Sequence, residues 1–261
     1  MQGVAWLLLS LFAGGPATAS DAFEQAVAAE LREADPEAAA LLAQADEARA
    51  RGDLAAAGEL YARLVERLPE DDHSRRRHCL VLQELGVRDQ ALQRCEQALA
   101  LKARPENRVA LAMVLLDLPS GAQRSAADLA RAEELLAQAA RESSEDPMIP
   151  RLLCHLASER EDAAGLRACL PELERLAPQH VKTAWHAWEL ARMEGRAEDA
   201  LAALDRAQAA GMPAEDADAF RELTRPTVDR GARWPVALGV GALLGGLVFW
   251  VLRPRKEVAA P

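Results

Sequence analysis

Lysine and the aromatic residues are scarce in this sequence: three lysines, one tyrosine, four phenylalanines and five tryptophans among 261 residues. So few aromatic and β-branched residues leave little material for strands, which sets aside a sandwich, a barrel or a doubly wound sheet. Positive charge is also in deficit. With 41 Asp and Glu against 31 Lys and Arg, the chain lacks the basic balance that phosphate neutralisation needs, which argues against nucleic acid as a partner. No C-x-x-C, HExxH, glycine-rich phosphate loop or nucleophile motif occurs, and Cys154-His155 lacks the earlier cysteine of a haem attachment site. His73, His78, His155, His180 and His186 are scattered without ligand spacing. The sequence therefore points to no catalytic residue, metal or cofactor, and a non-enzyme is expected. What is abundant is Ala (57 residues), Leu, Glu and Arg, the strong helix formers, so the expected class is all-α.

The two ends bear on the compartment. Residues 4–12 are apolar but too short to span a bilayer, and Gly14, Gly15, Pro16 and then Ala17-Thr18-Ala19 follow. This is the layout of a signal peptide over residues 1–20, cleaved near Ser20 or Asp21, although the first three residues carry only the α-amino charge. An uncleaved leader on a cytosolic protein is the alternative. At the other end, residues 234–252 hold 19 residues without a charge, flanked by Trp234 and Trp250 and closed by Arg253, Arg255 and Lys256. That length and those flanks predict a transmembrane helix with a short cytoplasmic tail, 253–261; a buried core helix is the alternative. Arg225, Arg230 and Arg233 on the opposite flank weaken the charge asymmetry. A signal peptide plus a stop-transfer segment predicts a single pass through a bacterial inner membrane with the bulk of the chain periplasmic. The spacing Gly241 to Gly245 is compatible with close packing of two such helices in a homodimer.

Between the ends runs an internal repeat. Gly52, Ala57, Tyr61 and Leu64 recur 34 residues later as Gly86, Ala91, Cys95 and Ala98, and the series continues through Ala132, Leu136 and Ala139, then Leu166, Leu170, Leu173 and Pro178, then Gly195, Ala200, Leu204 and Ala207. The anchors 57, 91, 132, 166 and 200 step by 34, 41, 34 and 34, the one excess falling at the loop-like residues 119–123. Each unit reads as a helix, a turn and a second helix whose small residue allows close crossing. One hairpin cannot bury its own apolar face, so the units must stack into a solenoid.

These residues resemble the tetratricopeptide repeat (TPR). Unit one carries Gly52, Ala57, Tyr61 and Pro69 in register, with Leu64 where the family has Ala; unit four departs most, with Glu161 for Gly and Leu166 for Ala. The resemblance spans about residues 38–212 and implies a right-handed α-solenoid of five units: 38–71, 72–105, 106–146 with an insertion, 147–180 and 181–212. A capping helix at 21–37, with Phe23, Val27 and Leu31 on one face, and a capping helix and linker at 213–233 complete the expected domain order.

Indexed on the repeat, Cys79 and Cys95 fall opposite each other in unit two, as do Cys154 and Cys169 in unit four. Two intra-unit disulfides are expected if the compartment is oxidising; otherwise the four serve as small buried apolar residues. The resemblance further implies a concave wall lined by the first helix of each unit. That wall offers Arg76, Leu80 and Gln83 in unit two, Asn107 and Val114 in unit three, Arg151 and His155 in unit four, and Lys182, Trp185, Glu189 and Arg192 in unit five. Cations on the wall of a segment (residues 21–233) holding 28 basic and 40 acidic residues suit an acidic or C-terminal peptide, with Trp185 as apolar anchor; a solvated helix face is the alternative. The expected function is a membrane-tethered extracytoplasmic scaffold for a protein or peptide. The alternative is an accessory subunit of an envelope maturation or assembly machine, such as cytochrome c maturation or a secretion apparatus.

Overall fold

The structure is a computed structural model that describes residues 19–117 and 125–224. Twelve helices and no strands occur among the described residues: α1 (Ala19–Ala34), α2 (Pro36–Ala50), α3 (Leu54–Arg67), α4 (Asp72–Glu84), α5 (Arg88–Leu101), α6 (Pro105–Leu116), α7 (Ala126–Glu142), α8 (Met148–Glu159), α9 (Ala163–Leu176), α10 (Val181–Met193), α11 (Ala197–Ala209) and α12 (Ala214–Thr224). All but the last two residues of the expected signal peptide, the expected transmembrane helix, the glycines 241 and 245 and the insertion at 119–123 lie outside the described residues, and residues 19 and 20 open α1. Among the described residues no helix is long and apolar enough to cross a membrane.

Helices pair in chain order as hairpins α2–α3, α4–α5, α6–α7, α8–α9 and α10–α11, and each hairpin packs on the next. The small anchors explain the close pairing. Ala57, Ala91, Ala132 and Ala200 are fully buried, and in unit four Leu166 takes the same buried place. Leu64, Leu136, Leu173 and Leu204 fill the space beside them and are likewise fully buried. Three apolar clusters result: one in the first unit, one from Cys79 to Leu156, and one from Cys154 to the cap.

The turns inside units one, two, four and five share one backbone device. The amide three residues past the helix end bonds back to a carbonyl five residues earlier, Asp53 to Ala48, Val87 to Leu82, Asp162 to Ala157 and Arg196 to Ala191, all at 2.8–2.9 Å. This ending requires a left-handed residue. Gly52, Gly86 and Gly195 supply it with φ of 79°, 75° and 71°, and Glu161 adopts φ 51° in unit four. The resemblance is weakest at that position in sequence, yet the turn is kept. Asp53 and Asp162 then cap the following helices by accepting from Ala56 N and Ala164 N.

Both cysteine pairs meet as expected. Cys79 and Cys95 have Cα atoms 5.3 Å apart and join α4 to α5, while Cys154 and Cys169, 5.6 Å apart, join α8 to α9. Both separations suit a disulfide.

Candidate peptide groove

The first helices of the units, α4, α6, α8 and α10, carry the residues expected on the inner wall, and the structure divides them into two groups. In the first group the cations are already engaged. Arg76 on α4 is 5% exposed and donates through Nη2 to the carboxylate of Glu24 on α1. The same carboxylate meets His73 Nε2 and lies 3.1 Å from Arg77 Nε. Burial alone raises a carboxyl pKa. Here the hydrogen bond with His73 and the charges of Arg76 and Arg77 overcome it and hold Glu24 well below the usual carboxylate range. Arg77 also reaches Asp46, which accepts from Tyr61 Oη.

Asn107 departs from its expected place on the wall. It is 1% exposed, and its amide nitrogen donates to Asp72 Oδ2 at 2.8 Å and to the carbonyls of Ala98 and Lys102 at 3.2 and 2.8 Å. It adds a second donor to two carbonyls at the end of α5 that already accept from Lys102 N and Arg104 N, so it serves the α5–α6 connection rather than a ligand. Val114 is buried in the core, and Gln83 donates to Asp117 Oδ2.

The second group lies on α8 and α10. Arg151 Nη1 stands 3.1 Å from His180 Nε2, and His180 Nδ1 accepts from Lys182 N, also at 3.1 Å, as the cap of α10. Burial first, then the nearby Arg151, Lys182 and His186 charges, push the imidazole of His180 down to about 4, so it is neutral at pH 7. A neutral imidazole has one N–H and one lone pair. It cannot accept from both Lys182 N and Arg151, and one of these two donors is left facing a group that offers it no acceptor. Burial also pushes Lys182 down to about 8, against the opposing pull of Glu189, and it lowers Arg151 against the pull of Asp146. The first turn of α10 holds no acidic residue, so the positive end of that helix adds to the field, whereas at the start of α8 the Asp146 carboxylate accepts from Met148 N at 2.9 Å.

The remaining wall residues of unit five hold one another. Glu189 accepts from Ser158 Oγ at 2.6 Å and meets His186 Nδ1 at 2.8 Å. Burial alone raises its pKa; those hydrogen bonds and the His186 charge bring it below the ordinary value. His186 is buried and its Nε2 has no hydrogen-bond partner. His155 lies 3.9 Å from Glu159. Trp185, expected as an apolar anchor, meets the tilted ring of Trp188 at 4.7 Å and Phe220 of α12 edge-on at 4.5 Å between ring centres, and Trp188 Nε1 donates to Thr224 Oγ1. Its ring is largely committed to holding the cap. Arg192 is exposed, with its guanidinium 5.5 Å from the Trp188 ring centre. The sequence places Phe23 on the face of a capping helix and His180 and His186 outside any ligand pattern, and it does not single out Glu24 or Ser158. The run from His73 to His78 holds three arginines and two histidines in an acidic chain, a signal that a carboxylate from elsewhere must reach it.

No group of His, Cys, Asp and Glu suited to a metal ion occurs among the described residues. The hairpins, their turns and the wall of first helices define a TPR fold. Solved structures show the same: a TPR protein of Thermus thermophilus, TTC0263, matches with a TM-score of 0.58 at 18% identity over 72% of this chain and 98% of that one. PilF of Pseudomonas aeruginosa matches at 0.59 and 17% over 78% and 90%. YrrB, described as a TPR protein with an unusual peptide-binding site, matches at 0.52 and 16% over 75% and 97%. No protein-family model matches the sequence, and no curated protein is significantly similar to it.

Proposed function

We propose that the protein is a scaffold whose inner wall takes an acidic segment or C-terminal carboxylate of a partner protein at Arg151, His180 and Lys182. One observation carries this reading: Arg151 and the start of α10 present more donors than His180 has acceptors, in a place where burial already disfavours the positive charge. A carboxylate supplies the missing acceptor and the missing negative charge together. The likeness to YrrB, for which a peptide-binding site is described, supports the same use of the wall. The apolar runs at the two ends support an extracytoplasmic domain tethered to the bacterial inner membrane, where both cysteine pairs would oxidise. The excess of acidic residues favours protein over nucleic acid as the partner.

The test is fluorescence anisotropy of a labelled acidic peptide with a free C-terminus, titrated with the full-length protein. Binding should weaken about tenfold or more in Lys182→Met and Arg151→Met, in keeping with the loss of a charge-assisted hydrogen bond. The pH dependence has a definite sign. Lys182 is charged below about 8, and a bound anion raises its pKa, so affinity is full below that value and falls as pH rises above it. Binding that ignores both substitutions and pH rejects the site.

A further inference from the structure

Helix α1 is unlike the other eleven. None of its described side chains, residues 23–34, is buried, whereas every helix from α2 to α12 buries at least one. It joins α2 through Asp35 alone. Ala28 and Leu31 rest against the first apolar cluster, but its foremost described side chains reach beyond unit one to unit two. Phe23 lies with the Arg76 guanidinium 5.7 Å and the Arg104 guanidinium 5.1 Å from its ring centre, and the His73 ring meets it edge-on at 6.3 Å. Glu24 beside it takes His73, Arg76 and Arg77.

The receiving side is a built site. His73, Arg76 and Arg77 belong to α4, and Arg104 lies just before α6, so unit two (72–105) supplies every residue that reads the Phe-Glu pair. Arg76 and His73 are more than nine-tenths buried. Arg76 Nε has no hydrogen-bond partner even with Glu24 in place, so the site holds more donor capacity than one carboxylate uses. A ring met by two guanidinium groups and a carboxylate on a buried guanidinium are recognition elements of a protein interface. They are an unusual means of holding a terminal helix, which ordinarily docks through apolar burial.

We propose that this cage is a second binding site, for a helical segment of a partner protein carrying an aromatic residue followed by a carboxylate, and that α1 is the chain's own copy of that ligand. The partner gains access by displacing Phe23 and Glu24. Competition from α1 then reduces the apparent affinity by the fraction of molecules in which the cage is open. The site is separate from the one at Arg151 and Lys182 and stands whether or not that one binds.

The probe is a fluorescein-labelled peptide of residues 19–34, titrated by anisotropy into the full-length protein. The Phe23→Ala/Glu24→Gln variant, with its internal ligand weakened, should bind the probe at least tenfold more tightly than the parent. Adding Arg76→Gln should remove that gain, and adding Lys182→Met to parent and variant alike should leave the gain unchanged. Equal affinity of variant and parent, or loss of the gain with Lys182→Met, overturns the proposal. Should the variant fold poorly, hydrogen exchange on the parent decides instead: excess unlabelled probe should accelerate exchange across residues 23–34, and unchanged protection overturns it. A concentration-dependent dimer in which α1 stays protected would mean that a second copy fills the cage, which also overturns the partner reading.

Discussion

Arg76 and Arg151 occupy the same place in their repeats, the fifth position of units two and four, and their surroundings are opposite. Arg76 is buried against Glu24, a carboxylate 52 residues away. Arg151 faces an imidazole that burial and neighbouring charges keep neutral. The repeat supplies a cation at each site; whether that cation is spent on the fold or left for a ligand depends on what lies across from it. Charge on a solenoid wall is therefore informative only after the chain's own acids have been assigned to it.

The largest expected effect comes from the cysteine pairs, which brace the helices carrying the two arginines. Each closes a loop of about 15 residues, for which chain entropy gives about 3 kcal/mol. Replacing Cys79 and Cys95 by Ala, or Cys154 and Cys169 by Ala, should lower stability in oxidised protein by about that amount in each case, measured by urea unfolding. Equal losses would show that both walls are braced alike and that their difference is electrostatic. A much smaller loss for one pair would assign part of the difference to the rigidity of the helix.

A paired substitution attacks the electrostatic difference itself. Arg76→Ala leaves Glu24 short of a buried partner and should cost about 2 kcal/mol, since breaking a buried pair exposes the desolvation of the survivor. Lys182→Met should act in the opposite sense. The ammonium's pKa is lowered to about 8 from 10.5, so below 8 its charge costs stability in the folded state, and the substitution should stabilise by about 1 kcal/mol at pH 7. That gain should shrink as pH rises from 8 to 10.5, where the lysine is neutral in both states. A gain in stability with a loss of peptide binding is the mark of a site kept for function. If both substitutions destabilise, the contrast between the walls fails.

The fold was legible because it rests on local, periodic signals. Ala57, Ala91, Ala132 and Ala200 recur at repeat spacing, and the cysteine pairs follow from the folding of each hairpin on itself. The wall was legible only in part. Asn107 has the right index but faces the end of α5, where its buried amide donates to Asp72 and to two carbonyls of the α5–α6 connection. Trp185 is drawn toward Phe220 of α12, a capping helix outside the five units, so indexing within the units does not reveal the contact. Glu24 and Phe23 were invisible as wall residues for the same reason: they come from a helix outside the repeat, and their contacts depend on how α1 crosses it.

The smallest effect tests whether unit four differs from unit one in its framework as well as its charge. Glu161 and Gly52 hold equivalent left-handed positions, with φ 51° and 79°. For a residue with a Cβ that conformation costs about 1–2 kcal/mol, while glycine forfeits about 0.5–1 kcal/mol of chain entropy on folding. Glu161→Gly should therefore stabilise by about 0.5–1 kcal/mol. Gly52→Ala should destabilise by a similar amount, since nothing lies within 4 Å of the added Cβ and the cost is the backbone's alone. Thermal unfolding of the two variants should move in opposite directions. If Glu161→Gly instead lowers stability, the exposed Glu161 side chain contributes more than its strained backbone costs, and the turn beneath α8 and α9 is held by chemistry that the other turns lack.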